Sequence, residues 1–404
     1  MLRHRTFAAL KHRNYRLFFG GQLISLIGTW MQNIAQAWLV YQLTNSPFKL
    51  GVVAFAAGAP SLLFSLWAGV VADRMSKRRL IMTTQTVLMT LAAILAVDAF
   101  LGTVQWWHVA ILALLLGIAN AFDGPARQAF VVEMVGREDL GNAIALNSAM
   151  FNSARIIGPA LAGITLAAVG PAWCFALNAA SFLAVIAGLA LMRVPPYVGT
   201  TDAASPWSQV KEGLRYIGGN PTVRSLITVV AVSNMFGLGY STLLPAFAQD
   251  VLGVGKVGFA LLSTAVGVGA LTGALLVATL GNHPHKGRIL TTGNLLFPAM
   301  VVGISLSTSY HLTLFLLMLS GLGFMIQNAT ANTLVQTVVP DSLRGRVMGV
   351  YMMVFLGFFP VGCLISGTVA EHCGVRFAAG LGGSLALVYG LFLFWRSPGI
   401  RRLQ

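Results

Sequence analysis

The feature that most constrains this chain is a succession of long apolar segments. A helix needs about 20 predominantly apolar residues to cross the hydrocarbon core of a bilayer, and roughly twelve segments meet that standard. The sequence therefore predicts an all-α integral membrane protein with twelve transmembrane helices arranged as two six-helix bundles. The segments begin near Leu17, Leu50, Leu80, Val109, Ala143, Trp173, Ser225, Val257, Ile289, Leu312, Val347 and Phe377.

Composition supports this assignment and excludes one alternative. Of the 404 residues, 56 % are hydrophobic and 9 % are charged, whereas about a quarter of the residues in a soluble domain are charged. A net charge of +15 would indicate nucleic-acid binding only if the cations shared one face or one tail. They lie instead in short groups between apolar runs. We therefore expect a lipid bilayer, and no nucleic acid, as a partner.

By sequence the chain divides into three parts. Residues 1–193 are predicted to form the N-terminal six-helix bundle, residues 194–224 a cytoplasmic linker, and residues 225–404 the C-terminal six-helix bundle. The second part of the linker places Trp207, Val210, Leu214 and Ile217 at helical spacing. This spacing predicts a short helix that lies on the membrane surface or is solvated as a simple connection.

Lysine and arginine predict the orientation, because cytoplasmic loops are enriched in both. About 22 of the 26 lie at the termini or in the loops on the same side as the termini. Lys49, Lys256 and Arg376 lie on the other side, and Arg155 lies within the fifth predicted helix. We therefore expect both termini to be cytoplasmic.

The densest group of charges lies between the second and third predicted helices, in "GVVADRMSKRRL" at residues 69–80. Gly69 is expected to let the two helix backbones approach, and Asp73 can cap helical amides or pair with nearby cations. The stretch resembles the signature of the major facilitator superfamily, roughly G-x-x-x-D-R-x-G-R-R/K. The order of residues matches the signature, with Ser76 where glycine is usual and the cation Lys77 where arginine is usual. The matching positions are Gly69, Asp73, Arg74, Lys77 and Arg78.

A second stretch supports the same resemblance. "SARIIGPALAG" in the fifth helix resembles the antiporter motif of the superfamily, with Gly158, Pro159 and Gly163 on a face of small residues. "FDGPARQAF" and "LRGRVMGVY" further resemble the branch that contains the bacterial enterobactin exporter and related efflux proteins. The resemblance covers nearly the whole chain and implies a bacterial-type inner (cytoplasmic) membrane protein.

The resemblance also implies a mechanism. Members of the superfamily work by alternating access, and the motif between helices 2 and 3 stabilises the outward-facing state together with a carboxylate at the end of helix 4. Asp123 or Glu133 is the expected partner in this chain. The alternative is a loop anchor whose charges follow the positive-inside bias. The corresponding loop of the second half, "LGNHPHKGR", has no aspartate, so a symmetric gate is not expected.

One charge is predicted to lie deep in the membrane. Arg155 shares a helical face with Ser148, Asn152 and Pro159, and an intramembrane charge is a functional candidate by default. Facing a cavity, this arginine would favour an anionic or polyphenolic substrate. Alternatively, it bonds to backbone carbonyls near Pro159 or pairs with Asp123.

Two stripes of amides recur at helical spacing. Gln32 and Gln36 lie on the first helix, and Asn328 and Asn332 lie on the tenth. Buried amides need hydrogen-bond partners, which a water-filled substrate path or a neighbouring helix can supply. Both alternatives remain open from the sequence.

The sequence lacks the motifs of several other function classes. It contains no H-E-x-x-H metal motif and no Walker A sequence, so neither an enzyme nor a cofactor or metal is expected. We predict a monomeric secondary transporter, a proton-coupled exporter of small amphipathic molecules such as siderophores or drugs. An importer or uniporter of the same fold is the alternative, followed by a membrane-embedded enzyme or a channel.

Overall fold

The computed structural model describes residues 7–193, 206–280 and 285–403, and this part of the chain is helical almost throughout. The all-α fold class is therefore confirmed. The long helices are α1 (Arg13–Thr44), α2 (Pro47–Arg74), α3 (Lys77–Leu101), α4 (Trp106–Val135), α5 (Leu140–Ala168), α6 (Pro171–Ala190), α7 (Pro221–Val251), α8 (Gly255–Thr279), α9 (Lys286–Leu306), α10 (Tyr310–Val338), α11 (Asp341–Cys373) and α12 (Val375–Arg396).

Ten of these helices in the described ranges are long and apolar enough to cross a membrane. The other two, α1 and α5, are 32 and 29 residues long. They reach the required length but carry more polar side chains, among them Gln32 in α1 and Arg155 in α5. Such side chains are costly against lipid, so these helices must turn them toward protein or water.

The predicted linker helix is present at Pro206–Gly219. Its Val210 and Ile217 are buried, whereas Trp207 and Leu214 are exposed. Close packing against α11 occurs at Gly213, where a Cβ atom would lie 2.8 Å from the carbonyl oxygen of Arg346. Val210 and Ile217 therefore lie on the face of the linker helix that packs on protein. Trp207 and Leu214 lie beside that face and remain exposed.

The chain passes from the linker helix into α7 through a well-defined helix start. The Asn220 side chain accepts hydrogen bonds of 3.1 Å from the amides of Thr222 and Val223, and Pro221 occupies the first helical position. Both features are typical of an N-terminus, where the first amides lack partners within the helix. This short connection places the linker helix directly beside the end of a membrane span.

The helix α7 is irregular beyond its first three turns. It is α-helical to Val232, then changes to a π segment at Ser233–Gly237, to 3₁₀ geometry at Leu238–Leu243 and again to a π segment at Phe247–Val251. The π turns within a helix often mark functional positions. The irregular part lies against α9 and α11, and a Cβ atom at Gly239 would lie 2.9 Å from the carbonyl oxygen of Gly362.

The chain forms two compact units. The first comprises Met1–Leu39 and Leu63–Ala203, and the second comprises Val40–Leu62 and Ala204–Gln404. The last turn of α1 and the first half of α2 therefore pack with helices from the second half of the sequence.

The first unit has a core at one end of α1, α3, α4 and α6. Tyr15, Ile81, Phe130 and Leu189 are fully buried there, and the Tyr15 hydroxyl donates to the carbonyl oxygen of Ala143 at 2.9 Å.

The N-terminal segment of the first unit is tied down by charge. The Asp139 carboxylate, just before α5, lies 2.7 Å from both the Lys11 ammonium and the His12 imidazole. The hydrogen bonds from Lys11 and then from His12 lower the pKa of Asp139. These contacts join the residues before α1 to the start of α5.

Candidate functional site

The motif between α2 and α3 occupies a very short connection. The helix α2 ends at Arg74 and α3 begins at Lys77. The Lys77 ammonium lies 2.6 Å from the Glu133 carboxylate of α4. Of the two carboxylates that the sequence offered as partners of the motif, Glu133 is therefore the one in contact with it.

Arg78, the last matching residue of the motif, binds the end of α6. Its guanidinium donates hydrogen bonds of 2.8 Å to the Leu189 carbonyl oxygen and 2.9 Å to the Ala190 carbonyl oxygen. The last carbonyls of a helix lack partners within the helix and carry partial negative charge, so a cation is favourable there. Arg78 is therefore an anchor between α3 and α6, whereas Arg74 is exposed.

The expected role of Gly69 in close packing is wrong. A Cβ atom at this position would meet no other atom of the described residues within 4 Å. The neighbouring Ala68 is fully buried and Val71 packs on the core of the first unit, so α2 turns another face toward its neighbours. The side chain of Asp73 lies outside the described residues, and its role in the gate remains a prediction.

Asp123 does not join the motif but forms its own buried site between α3 and α4. The carboxylate is inaccessible to solvent and lies 2.6 Å from the Arg127 guanidinium, one helical turn away. It also accepts hydrogen bonds of 2.7 Å from the Thr84 hydroxyl and 3.1 Å from the Gln85 amide. The structure thus brings Asp123 to Arg127, Thr84 and Gln85, and its part in the gate stays a prediction.

The antiporter motif provides a close contact between α5 and α1. Gly158, Pro159 and Gly163 are all buried. A Cβ atom at Gly158 would lie 2.9 Å from the carbonyl oxygen of Ile27, so only a residue without a side chain allows this approach. The motif thus brings α5, with its charged residue, directly against the polar helix α1.

Arg155 lies at this same contact between α5 and α1. Its guanidinium carbon is 5.7 Å from the centre of the Trp30 ring, a distance at which a cation is attracted to the aromatic face. Phe151 meets the same ring edge to face at 5.7 Å. The side chain of Asn152 is buried and donates to the Ser148 carbonyl oxygen at 2.8 Å. Arg155 is half-buried, so it is neither sealed in a core nor fully solvated.

The amides of α1 differ from one another in their surroundings. The Gln32 side chain is 3 % exposed, and its carbonyl oxygen accepts a 2.6 Å hydrogen bond from the Asn178 amide of α6. This contact supports the interhelical alternative for Gln32. Gln36 is half-buried and Asn33 is exposed, so they are the accessible amides of this stripe.

In the second unit, Asn328 and Asn332 lie on α10. Asn328 is buried and donates to the Phe324 carbonyl oxygen at 3.0 Å, but its own side-chain oxygen has no hydrogen-bond partner among the described residues. Asn332 is half-buried and accepts a hydrogen bond from Gln336. Asn328 therefore keeps an unused acceptor in a buried position.

Sequence reasoning missed a polar contact beside this stripe. Gln327 is fully buried and its amide donates at 2.7 Å to the hydroxyl of Ser233, in the first π segment of α7. Its side-chain oxygen, like that of Asn328, lacks a partner within the described part of the chain. Gln327 lies on a different face of α10 from Asn328, so the spacing of the amide stripe did not include it. Ser233 reaches Gln327 through the irregular part of α7, and the sequence has no periodic pattern that indicates such a contact.

Comparison with protein families places residues 4–401 in a family described as transmembrane secretion effectors. Among characterised relatives, the multidrug efflux pump Tap of Mycolicibacterium fortuitum is 27 % identical, over 85 % of this chain and 86 % of the pump. The staphyloferrin A transporter of Staphylococcus aureus is 26 % identical, over 89 % and 90 %. Macrolide efflux protein A of Streptococcus pyogenes is 21 % identical, over 93 % and 95 %.

Solved structures show the same fold. A nucleoside transporter, NupG, superposes with a TM-score of 0.74 at 14 % identity, covering 96 % of this chain and 99 % of the transporter. A transporter of the POT family superposes with a TM-score of 0.73 at 11 % identity, with 96 % of each chain covered. At these identities the likeness concerns the arrangement of helices alone.

Proposed function

Because this chain belongs to the transmembrane secretion effector family of the major facilitator superfamily, we propose that it exports small amphipathic molecules by proton-coupled secondary transport. The protein is a membrane transporter and not an enzyme. Its relatives include two drug efflux proteins and a siderophore transporter. These support siderophore-like or drug-like compounds as the substrate class and export as the direction of transport.

The observation that carries the proposal is the contact between α1 and α5. These are the two long helices with the weakest apolar character, and the small residues of the antiporter motif bring them together. Arg155 and Trp30 provide a cation and an aromatic face at this contact, and Gln36 adds a half-buried amide on α1. This combination suits a solute with an apolar ring system and an anionic or polar group.

We further propose that transport proceeds by alternating access, in which a solute site opens to one side of the membrane and then to the other. The motif between α2 and α3 would act on the inner side, where both termini are expected to lie. Lys77 with Glu133 is its charged contact, and Arg78 anchors it to α6. Replacing Asp73 by asparagine should then reduce transport while the protein remains in the membrane.

The test is efflux from vesicles that contain the purified protein. We expect uphill movement of drug-like or siderophore compounds when a pH gradient is imposed, and none without it. Arg155→Ala should reduce transport of anionic compounds by about tenfold or more, because a charge-assisted contact contributes about 1.5–3 kcal/mol. Transport of neutral compounds should change little, and Arg155→Lys should restore part of the loss. Arg137→Ala, at an exposed loop position, is the control.

Three outcomes would contradict the proposal. Equal loss of neutral and anionic compounds in Arg155→Ala would make this arginine a structural residue held by Trp30. Efflux that continues unchanged without a pH gradient or membrane potential would exclude proton coupling, and uptake in the opposite direction would favour an importer.

A further inference from the structure

The second unit contains a seam between α2 and α11 that the sequence motifs did not identify. The first half of α2 runs antiparallel to the last half of α11, with Gly51 against Cys363 and Gly58 against Pro360. A Cβ atom at Gly51 would lie 2.7 Å from the carbonyl oxygen of Cys363, and one at Gly367 would lie 2.7 Å from that of Pro47. The two backbones are thus in close contact along the whole seam.

A carboxylate closes one end of this seam. Glu371, near the end of α11, accepts a 2.7 Å hydrogen bond from the Ser46 hydroxyl and a 3.1 Å hydrogen bond from the backbone amide of Phe48. The amide of Phe48 lies in the first turn of α2 and has no partner within that helix. Glu371 thus caps α2 from a different helix, and a negative charge is favourable at this position.

A second carboxylate holds the neighbouring end of α1. The Tyr41 hydroxyl donates a hydrogen bond to Asp250, in the last π segment of α7. Tyr41, Ser46 and Phe48 therefore bind the connection between α1 and α2 to α7 and α11 through two carboxylates, Asp250 and Glu371. We name these five residues the clasp.

The clasp depends on the ionised form of both carboxylates. An ionised carboxylate is an acceptor only, and hydrogen bonds to it are stronger than those to a neutral acid. All three donors are neutral, so adding a proton to either carboxylate weakens these hydrogen bonds. The other charged or titratable residues at this end of these and the adjoining helices include Lys49 in α2, Lys256 in α8, His372 and Cys373 in α11 and Arg376 in α12.

We propose that Asp250 and Glu371 are the sites where protons from the outer medium bind during transport. The inference rests on the proposed proton coupling and deepens it by naming the groups that take up the proton. The clasp lies at the end of α1 opposite to the N-terminus. Because the N-terminus is expected to be cytoplasmic, this end is expected to face outward. Protonation releases the connection between α1 and α2 from α7 and α11, which favours opening toward the acidic side, and deprotonation closes it.

The test measures the clasp directly in the full-length protein. Spin labels at Leu43→Cys and Phe377→Cys, both exposed, report the distance between the end of α1 and the start of α12. Cys373, which is exposed, is replaced by serine, whereas Cys174 and Cys363 are buried. On acidification from about pH 8 to about pH 3.5, which passes the reference carboxyl pKa values of about 3.9 and 4.3, the distance should shift to longer values.

Variants that mimic the protonated state should show the long distance at every pH. We expect this for Asp250→Asn combined with Glu371→Gln, and for Tyr41→Phe combined with Ser46→Ala, which removes the two side-chain donors instead. Asp341→Asn, at the opposite end of α11, and His372→Gln should respond to pH as the wild type does. A wild-type response in both clasp variants, or a response abolished by His372→Gln alone, would overturn the proposal.

The distance measurement and the transport assay test different statements, so each can give a negative result without the other. If vesicle transport does not depend on the pH gradient but the distance still responds through Asp250 and Glu371, the coupling is wrong and the proton site stands. If transport is coupled but the distance is unchanged in both clasp variants, the coupling proton binds elsewhere.

Discussion

At the scale of single residues, two arginines show how a charge can be structural. Arg78 donates to the carbonyl oxygens of Leu189 and Ala190 at the end of α6. Arg376, at the start of α12, donates at 2.9 Å to those of Ser305 and Leu306 at the end of α9. Each guanidinium uses its planar pair of donors to satisfy two carbonyls that have no partner within their own helix.

Replacing either arginine should therefore destabilise the unit to which it belongs. We expect Arg78→Ala and Arg376→Ala each to lower the free energy of unfolding by about 1.5–3 kcal/mol, the range for hydrogen bonds that involve a charged group. Lysine cannot reproduce the two-fold contact, so Arg78→Lys should recover only part of the loss. Thermal unfolding in detergent provides the measurement, with the exposed Arg79→Ala as control. Equal unfolding temperatures in all four variants would mean that the carbonyls are satisfied in another way.

The sequence predicted residue types at the candidate site better than their partners. Gly158 could be recognised because a small-residue motif predicts close packing on some helix, and the structure supplies α1 as that helix. Gln32 was ambiguous because its partner, Asn178, lies far away along the chain, and no periodicity specifies a contact of that kind. The same reason explains why Glu133 and Asp123 could not be separated as partners of Lys77.

At the scale of elements, length and hydropathy predicted the helices well, because a bilayer demands both from every span. The exceptions are informative. The polar character of α1 and α5 could be read from the sequence, but the irregular geometry of α7 could not. Its π and 3₁₀ segments arise where Gly237 and Gly239 allow close approach to α9 and α11, and such distortions depend on tertiary contacts.

The linker helix carries a prediction at this scale. Trp207, Lys211, Leu214 and Arg215 are exposed and lie on neighbouring faces, beside the face that packs on α11. Apolar side chains bordered by cations are typical of a helix that lies in the interface of an anionic membrane. A spin label at Leu214→Cys should therefore be more accessible to oxygen, which dissolves in lipid, than to a water-soluble nickel complex.

Vesicle composition provides the control for this prediction. Accessibility to oxygen should fall when anionic lipids are replaced by neutral ones, and Lys211→Glu with Arg215→Glu should have the same effect. A label at Ser208, which is exposed on the other side of Trp207, gives the reference value for a more polar position. Equal accessibility to both reagents at Leu214 in anionic vesicles would show that the helix is a solvated connection.

At the scale of the whole molecule, the compact units and the halves of the sequence are different divisions. The segment Val40–Leu62 comes before the linker in the sequence but packs within the second unit. Small residues in α2 and α11 were visible in the sequence, but their pairing was not, because glycine indicates a close approach without naming the helix that approaches. The seam therefore ties the N-terminal half of the chain to α11 by contacts that only the structure reveals.

This seam makes a prediction about how the two halves of the sequence stay together. With a protease site inserted between residues 194 and 205, the cleaved wild type should remain one complex in mild detergent. Gly51→Leu should weaken the complex, because its side chain would meet the Cys363 carbonyl oxygen, which cannot move away as a flexible side chain can. Gly69→Leu is a matched control on the same helix, since a Cβ atom there meets nothing within 4 Å. Size-exclusion chromatography after incubation at a series of temperatures should show that the two fragments separate at a lower temperature in Gly51→Leu than in the control. Equal separation temperatures would mean that the seam does not hold the two halves of the sequence together.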